Sequence, residues 1–433
     1  MCPNGPEFII AFFAVLRSGA IAIPISPALK AVEIVRLAEE MRIDAICCSS
    51  SFKSLILQHN AGGLIEAPIL EGSAPLWLRA VATGGISQND ERERLLKLNA
   101  ACVFFTSGST ATAKGIILSH STLYEQVRMR CEVPPFTKNQ SVLWLLSMAT
   151  NLVGAVSAYL LQGGKVVIGD GTDPHLASQL VIRHGVTQVC GPPLFYRMLL
   201  NEKAISAEDF RGVKYFMSTG SALPETTVDL FQAKFGREIL QRYGLSECGV
   251  VLANLSDDQN KRGSVGTPVP GYEVKLIAGD MDVSGGEMGE IYARGPGMFD
   301  AYYKPWRLRD EVLEDGWFRT GDLARRDKDG YYWIVGRVKD VINVGGVKVF
   351  PYEVEEVLLS HPAVEEAVVF GAPEPRFGEA PHAKVKLRSG AVCTGRELLL
   401  YVNEKLSVFK TLRAVEFVDE ISKTVTGKPR RLG

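Results

Sequence analysis

The chain has 433 residues, of which 46% are hydrophobic and 22% are charged, and its 48 basic residues nearly balance its 49 acidic ones. This composition is typical of a globular protein of about two to three domains and excludes disordered, collagen-like and coiled-coil chains. The formal charge of −1 provides no overall field that would attract nucleic acid, so we expect no nucleic-acid partner.

The eight cysteines are scattered without a C-x-x-C pair, which favours buried thiols in a reducing compartment over disulfides or a zinc site. An apolar stretch runs from Phe8 to Leu16, but no Lys or Arg precedes it and Arg17 ends it well short of a membrane span. We therefore expect a cytoplasmic protein without a membrane-spanning segment.

The first hundred residues alternate between two patterns. Glu7–Ser18 and Ala28–Met41 have the spacing of amphipathic helices, whereas Ala20–Ile25 and Asp44–Cys48 are short apolar runs typical of strands. Such alternation predicts βαβ units and a largely parallel sheet.

The alternation continues beyond residue 100. The sequence predicts a strand over Ala101–Phe105, a helix from about Ser121, and further strands over Gly164–Ile168, Gln188–Cys190 and Lys214–Ser218. After Gly263, short strand-like segments such as Tyr272–Ile277 and Gly289–Arg294 indicate antiparallel or barrel-like structure over about residues 263–336.

The composition shifts again after Gly336. Helical patterns at Tyr352–Ser360 and Gly395–Leu406 alternate with strand-like runs at Ala363–Phe370 and His382–Leu387, which predicts a small α+β domain. The predicted fold is therefore α/β: a large N-terminal domain over residues 1–336, built of αβ layers plus a small β-barrel-like subdomain, followed by an α+β C-terminal domain over residues 337–433.

The strongest local signal is the loop Thr106–Gly115 between a strand and a helix. Its hydroxyls, glycines and backbone N–H groups can surround an anion, and Lys114 adds a positive charge. The loop does not fit the G-x-x-x-x-G-K-[ST] pattern. On these residues alone, phosphate binding and a flexible surface loop are equally good interpretations.

Other segments carry chemistry less specifically. In Tyr243–Glu247 a tyrosine ring can stack on a base and a carboxylate can hold Mg²⁺, although a buried Tyr before a turn is commoner. Asp322 follows a turn and can accept both hydroxyls of a ribose, but a solvated Asp is the simpler interpretation. Gly336–Asp340 has the composition of a linker, and Ser422–Arg431 that of a solvated basic end.

The order and spacing of these five segments resemble the adenylate-forming superfamily of acyl-CoA synthetases, nonribosomal-peptide adenylation domains and beetle luciferases, from about Pro3 to Arg431. The resemblance implies ATP-dependent activation of a small carboxylic acid to an acyl-adenylate with release of pyrophosphate. The acyl group then passes to the thiol of CoA or of a carrier-protein pantetheine. Because Pro3–Phe8 lies several dozen residues into the family pattern, the usual N-terminal segment is expected to be missing.

The resemblance also assigns roles to individual residues. It gives the phosphates of ATP to Thr106, Ser107, Gly108, Ser109, Thr110 and Lys114. It implies that Thr110 and Glu247 bind Mg²⁺. It implies that Tyr243 binds the adenine in a pocket formed with Gly220, Ser221, Ala222, Gly244 and Ser246. It implies that Asp322 and Arg337 bind the ribose, and that Lys428 bridges the substrate carboxylate and the α-phosphate. Lys428, Glu247 and Thr110 are the implied catalytic residues.

Members of this superfamily rotate the C-terminal domain between half-reactions, so the resemblance implies that this domain is mobile. It implies a hinge at about residues 336–340, with Lys339 at the hinge position, and a pantetheine tunnel at Gly345 and Gly346.

The sequence departs from the family pattern at Ala111 and Ala113, where relatives usually carry Gly and Pro. Thr150 stands near the position of the Asp that pairs with the ammonium of an amino acid, which argues against amino-acid substrates. The largely apolar segment Leu152–Tyr159 favours a hydrophobic acid, fatty or aryl, and hence a place in fatty acid metabolism. A carrier-loading enzyme, a luciferase-type oxygenase and a pseudoenzyme remain alternatives, and the oligomeric state is open.

Overall fold

The computed structural model describes residues 3–27, 29–41, 43–49, 64–67, 76–80, 90–105, 114–134, 137–151, 156–221, 223–256, 258–423 and 431. The chain forms two compact units. Unit 1 comprises Met1–Asp170, Ser246–Gly249 and Pro296–Val312, and unit 2 comprises Gly171–Leu245, Val250–Gly295 and Leu313–Gly433. The predicted domain boundary at about residues 336–340 falls inside unit 2 and stays a prediction.

The helices of the described residues are, in chain order, α1 Pro6–Arg17, α2 Ala31–Glu40, α3 Asp90–Lys97, α4 His120–Cys131, α5 Met148–Asn151, α6 Ser157–Leu161, α7 Pro174–His184, α8 Pro193–Asn201, α9 Glu225–Phe235, α10 Arg309–Val312, α11 Pro351–Leu359 and α12 Gly395–Lys405. Within this part of the chain, no helix is long and apolar enough to cross a membrane.

The strands are, in chain order, β1 Ala45–Ser49, β2 Leu64–Ala67, β3 Leu76–Ala80, β4 Ala100–Phe105, β5 Gly115–Ser119, β6 Ser141–Trp144, β7 Lys165–Ile168, β8 Gln188–Gly191, β9 Tyr215–Ser218, β10 Ile239–Leu245, β11 Gly249–Ala253, β12 Thr267–Pro268, β13 Glu273–Ala278, β14 Met281–Asp282, β15 Met288–Arg294, β16 Ala301–Tyr302, β17 Arg307–Leu308, β18 Phe318–Arg326, β19 Tyr332–Arg337, β20 Ile342–Val344, β21 Val347–Val349, β22 Val364–Glu374, β23 Gly378–Leu387 and β24 Ala414–Phe417.

Unit 1 contains two antiparallel sheets, ordered β1-β3-β2 and β17-β16-β5-β4. The prediction of a largely parallel sheet from the first hundred residues is therefore wrong for β1. The predicted strand Ala20–Ile25 is wrong as well, because only Ala22 pairs, through a single parallel bridge to Cys102. No sequence pattern indicated β5, whose five buried residues pair antiparallel with one edge of β4, while Ala22 pairs with the other edge.

Glycine at position 115 is required by packing where β5 begins. A Cβ atom there would approach the Cβ of Tyr303 to 2.9 Å and Cγ1 of Val103 to 3.0 Å. Tyr303 in turn donates its backbone N–H to the Gly115 carbonyl at 2.7 Å. This close approach holds the strand that follows Lys114 against β4 and against the segment after β16.

Parallel pairing occurs in both units. In unit 1, β6 pairs with β7. In unit 2, β8, β9 and β10 lie side by side in parallel and are followed by β11 and β12. Since the carboxyl ends of parallel strands meet at one edge, the residues after β9 and those at the end of β10 share that edge.

The strands over Gln188–Cys190 and Lys214–Ser218 are confirmed as β8 and β9. Behind them, α8 and α9 pack through a cluster of buried rings, in which Phe231 contacts Tyr196, Phe216 and Phe235 with centroid separations between 4.6 and 5.6 Å. Aromatic pairs at such distances add to the burial of their apolar area. This cluster fixes the helices on the face of the sheet.

The change of character after Gly263 is confirmed as a five-stranded antiparallel sheet in unit 2, ordered β14-β13-β15-β18-β19. The predicted strands Tyr272–Ile277 and Gly289–Arg294 correspond to β13 and β15.

The predicted α+β structure after Gly336 is also confirmed. Its strands form a sheet ordered β21-β20-β23-β22, with β24 parallel to β23, and α11 and α12 correspond to the two predicted helices. Its core consists of buried aliphatic side chains that lie between Ile342 and Leu412. The sequence predicted α11, α12, β22 and β23 within a few residues, although the β22–β23 hairpin is longer than expected, and it missed the short strands β20, β21 and β24.

Candidate active site

The clearest polar arrangement in unit 2 surrounds the carboxylate of Asp322. Tyr243 donates its hydroxyl to Oδ2 at 2.7 Å, and Arg337 donates Nε–H to Oδ1 at 2.6 Å. Asp322 and Tyr243 are each only 8% exposed. We call these three residues the Asp322 cluster, and it joins three of the residues that the sequence assigned to the nucleoside.

Three strands position the Asp322 cluster. Asp322 on β18 lies directly opposite Arg337 on β19, and Tyr243 lies on β10. β10 spans Ile239–Leu245, so Tyr243 lies within the strand. The linker predicted at Gly336–Asp340 is wrong at its start, since Arg337 ends β19 and only Val338–Asp340 forms a 3-10 turn.

The charges of the cluster support each other. Burial by itself lowers the pKa of the Arg337 guanidinium, but the attraction of and hydrogen bond to Asp322 outweigh it, so the net pKa is raised. A carboxylate has about four lone-pair sites, and the two protein donors use one on each oxygen. Asp322 can therefore accept further hydroxyl donors while keeping its partners.

Gly220 and Ser221 follow β9 at the shared carboxyl edge of the parallel strands, and both are exposed. Gly220 has a φ of 98°, which a residue with a side chain rarely adopts. Gly244, the next residue after Tyr243, is exposed at the end of β10. These residues thus leave backbone accessible at the edge where parallel α/β sheets commonly bind ligands.

Unit 1 holds a second polar arrangement, built on Glu247. Tyr302 on β16 donates its hydroxyl to Oε1 of Glu247 at 3.1 Å, and the Lys114 ammonium lies 5.1 Å from the centre of the Tyr302 ring. The backbone N–H of Phe299 donates to the Glu247 carbonyl at 2.6 Å. Burial and the neighbouring Glu247 carboxylate raise the pKa of Tyr302, which keeps its hydroxyl a neutral donor.

The chemistry of this arrangement fits a magnesium ion. Glu247 offers carboxylate oxygens, which are the hard ligands that Mg²⁺ prefers, and Tyr302 donates a hydrogen bond to one of them. Ser246 and Glu247 lie in the turn between β10 and β11. Thr110, the other residue assigned to the metal, lies outside the described residues.

Several predicted site residues cannot be placed. Outside the described residues lie Thr106, Ser107, Gly108, Ser109, Thr110, Ala222 and Lys428, together with residues 152–155, the first half of the apolar segment Leu152–Tyr159. Their assigned roles stay predictions.

The residues predicted at the hinge and at the pantetheine tunnel lie on the surface of unit 2. Lys339 is exposed in the 3-10 turn after β19. Gly345 and Gly346 form the two-residue turn between β20 and β21 with φ of 58° and 89°, a geometry that strongly favours glycine in a hairpin. The glycines therefore have a local structural reason in addition to any role in a tunnel.

The basic segment Ser422–Arg431 was interpreted as solvated, and this is wrong for Lys423 and Arg431, which form ion pairs. Lys423 pairs with Glu366 at 2.9 Å, and Arg431 pairs with Glu355 at 2.7 Å and with Asp340 at 3.3 Å. These acids lie on distant strands, helices and turns, so no local sequence signal could have revealed the pairs. The structure thereby fixes the chain on both sides of the segment that contains Lys428.

Sequence reasoning missed two further side chains. Tyr302 has no motif of its own and became visible only through its contact with Glu247. Arg242 precedes Tyr243, is only 7% exposed, and contacts Sδ of Met217, while its Nε atom has no hydrogen-bond partner. Among the described residues, no carboxylate forms an ion pair with this guanidinium. A buried arginine without such a partner is costly, and no sequence pattern marked it.

Family models cover most of the chain. The model described as AMP-binding enzyme matches residues 1–303, and that of the AMP-binding enzyme C-terminal domain matches residues 353–428. The feruloyl-CoA synthase of an Amycolatopsis species is 29% identical over 432 residues, which cover 98% of this chain and 85% of the relative. A long-chain-fatty-acid–CoA ligase of Yersinia pestis is 28% identical over 466 residues, covering 99% and 83% respectively.

Solved structures give the same result. The crystal structure of ATP-bound MatB from Rhodopseudomonas palustris matches with a TM-score of 0.83 at 26% identity, covering 99% of this chain and 86% of that one. The matched family models span more than half of the chain and include both of its predicted parts. The chain therefore belongs to the AMP-binding enzyme family and is an enzyme of the acyl-CoA synthetase type, as its motifs predicted.

Proposed function

We propose that the protein activates a hydrophobic carboxylic acid, fatty or aryl, with ATP and transfers the acyl group to the thiol of CoA. The acid's carboxylate attacks the α-phosphorus, pyrophosphate leaves, and the acyl-AMP then reacts with the thiol to release AMP. The observation that carries the nucleotide part of this proposal is the Asp322 cluster. The similarity to a feruloyl-CoA synthase and to a long-chain-fatty-acid–CoA ligase supports a hydrophobic acid as the substrate and CoA as the acceptor.

In this proposal the Asp322 cluster holds the nucleoside. Asp322 accepts the two ribose hydroxyls on its remaining lone pairs, while Arg337 and Tyr243 keep the carboxylate oriented. The Tyr243 ring stacks on the adenine. Such a preformed site lowers the cost of ordering the nucleotide, because the protein groups already have their bound geometry.

In this proposal the triphosphate is bound by Lys114, by the hydroxyl-rich segment before it and by the metal site at Glu247. When bound there, Mg²⁺ would neutralise charge on the pyrophosphate leaving group. Lys428 would bridge the carboxylate and the α-phosphate during adenylation. These groups act by placing positive charge where negative charge develops, which is the main contribution of proteins to phosphoryl-group chemistry.

The experiment that tests the proposal is ATP–pyrophosphate exchange with a panel of fatty, aryl and amino acids. Exchange with one hydrophobic class supports the proposal and names the substrate, whereas exchange with amino acids alone, or with no acid in folded protein, contradicts it. A second step supplies CoA or a pantetheinylated carrier protein to the preformed acyl-AMP. Transfer only to the carrier would overturn CoA as the acceptor.

Lys428→Ala separates the half-reactions. We expect this variant to lose adenylate formation and to keep thioester formation from synthetic acyl-AMP, because the bridging charge is needed only for the first step. Lys405→Ala is the matched control, since Lys405 ends α12 at the surface. Equal loss of both half-reactions in Lys428→Ala would contradict its assigned role.

A further inference from the structure

The strand that carries Asp322 contains a bulge where it passes β15. Arg319 lies opposite Tyr292 and Leu323 lies opposite Glu290, so three residues of β18 face the single residue Ile291. Bulges of this kind commonly redirect a side chain beside a functional site. The three residues in the bulge are Thr320, Gly321 and Asp322, which we call the Asp322 bulge.

Side chains accept the backbone N–H groups of Gly321 and Asp322 in the Asp322 bulge. The Thr320 hydroxyl donates to the Ile291 carbonyl at 2.9 Å and accepts the backbone N–H of Asp322 at 3.1 Å. Gly321 donates its N–H to Oε1 of Glu290 at 3.1 Å. Because a buried N–H without a partner is costly, these contacts determine whether the bulge keeps its shape.

Glu290 is the only charged side chain among these partners, and a second contact, to Arg319, holds its carboxylate in position. Its side chain is 12% exposed, and its second oxygen, Oε2, accepts Nη2–H of Arg319 at 2.9 Å. Arg319 also binds the more exposed Glu314 at 3.2 Å. The Glu290 carboxylate therefore has one oxygen committed to Arg319 and the other to the backbone of Gly321.

Gly321 has a φ of 72°, so the bulge adopts a conformation that a regular strand does not contain. The next residue is Asp322, whose carboxylate must point at once toward Tyr243 and Arg337. A small change at Gly321 would rotate the Asp322 side chain away from both partners. Glu290 thus acts on Asp322 through one peptide unit.

We propose that Glu290 is a positioning residue that holds the Asp322 bulge and thereby sets the geometry with which Asp322 recognises the ribose hydroxyls of ATP. This inference rests on the proposed function, because it requires that Asp322 binds the ribose. Glu290 does not touch the nucleotide itself, and its contribution passes through the hydrogen bond to Gly321.

The test compares ATP with 2′-deoxy-ATP in pyrophosphate exchange, because the ratio of the two kcat/KM values reports on ribose recognition and not on general activity. Glu290→Ala removes the acceptor for Gly321. We expect the preference for ATP to fall about tenfold, as the loss of one well-formed hydrogen bond to a charged group would predict. Glu290→Gln keeps an Oε1 acceptor, so we expect it to retain most of the preference.

Two further variants guard the interpretation. Glu290→Asp shortens the side chain by one methylene and withdraws the acceptor while keeping the charge, so it decides the question if Glu290→Ala does not fold. Glu314→Ala is the matched control, because it removes the other carboxylate of Arg319, which is 55% exposed, without touching the bulge. Its preference for ATP should equal that of the wild type.

Asp322→Asn separates the inference from the proposed function. If Asp322→Asn leaves the ratio unchanged, the ribose assignment itself is wrong. If Asp322→Asn abolishes the preference but the folded Glu290→Ala and Glu290→Asp variants keep it, the positioning role of Glu290 is overturned. A fall in the ratio that Glu290→Gln restores and Glu314→Ala does not reproduce supports the inference.

Discussion

Tyr243→Phe isolates the hydroxyl of the Asp322 cluster from the aromatic ring. In the wild type the hydroxyl lies 2.7 Å from Oδ2 of Asp322, and both side chains are almost fully buried. The substitution keeps a ring of nearly the same shape, so stacking on adenine should survive. What it removes is one of the two protein donors that orient the carboxylate, and Arg337 remains as the other.

A hydrogen bond to a charged group contributes about 1.5–3 kcal/mol. Because Arg337 still neutralises and anchors Oδ1, we take the lower end, about 1.5 kcal/mol, as the cost of ordering Asp322 when ATP binds. Since about 1.4 kcal/mol corresponds to a factor of ten, kcat/KM for ATP should fall roughly tenfold. The loss should fall mainly on KM, as the ribose lies away from the reacting phosphate.

The assay is pyrophosphate exchange at saturating acid with varied ATP. Tyr196→Phe is the matched control, because it removes another buried tyrosine hydroxyl of unit 2, which donates to the Met217 carbonyl at 2.7 Å. It should lower stability without changing KM for ATP. An unchanged KM in Tyr243→Phe, or a loss as large as in Tyr243→Ala, would refute the separate role assigned to the hydroxyl.

Two predictions concern stability. Partial burial and the neighbouring Glu356 raise the pKa of Glu225 above its ordinary value of 4.5. The folded protein therefore loses stability as the pH rises from the unfolded-state pKa of this carboxyl to its higher folded-state pKa. Thermal melts should show Glu225→Gln more stable than wild type at pH 7 and equal to it below about pH 4. A constant difference at every pH would contradict this cause. Glu355→Ala removes the more buried of the two carboxylates that pair with Arg431 and should cost about 3 kcal/mol in chemical denaturation, whereas Glu273→Ala, which breaks an exposed pair, should cost much less; equal losses would refute the argument.

Sequence periodicity predicted several of the buried elements. The strands β8 and β9 and the helices α11 and α12 were placed within a few residues, because their apolar spacing directly reflects their burial. The same reasoning failed for β5, although its residues are as buried as those of β8, because they directly follow a hydroxyl-rich segment of the sequence. It also failed for the direction of pairing of β1, since partners distant in the chain decide whether a strand pairs in parallel or antiparallel.

The site could be predicted only as separate segments. The sequence marked Asp322 and Tyr243, but their contact joins residues 79 positions apart, and no local pattern contains such information. Tyr302 and Glu290 escaped notice for the same reason, because each matters through a contact with another strand or turn. The resemblance to a known family supplied roles that spacing alone left undecided.

The Thr320-Gly321-Asp322 sequence combines two kinds of requirement. Thr320 satisfies one backbone group of the bulge and one of β15, and Gly321 supplies the positive φ, so both would be retained for folding even if no nucleotide were bound. Asp322 differs, because a buried carboxylate with two charged or polar donors is not needed to close the bulge, and an apolar residue there would avoid its desolvation. Its presence together with Arg337 and Tyr243 is therefore the part of the motif that argues for a working nucleotide site. A relic that kept only the fold would be expected to keep Thr320 and Gly321 and to lose Asp322 first.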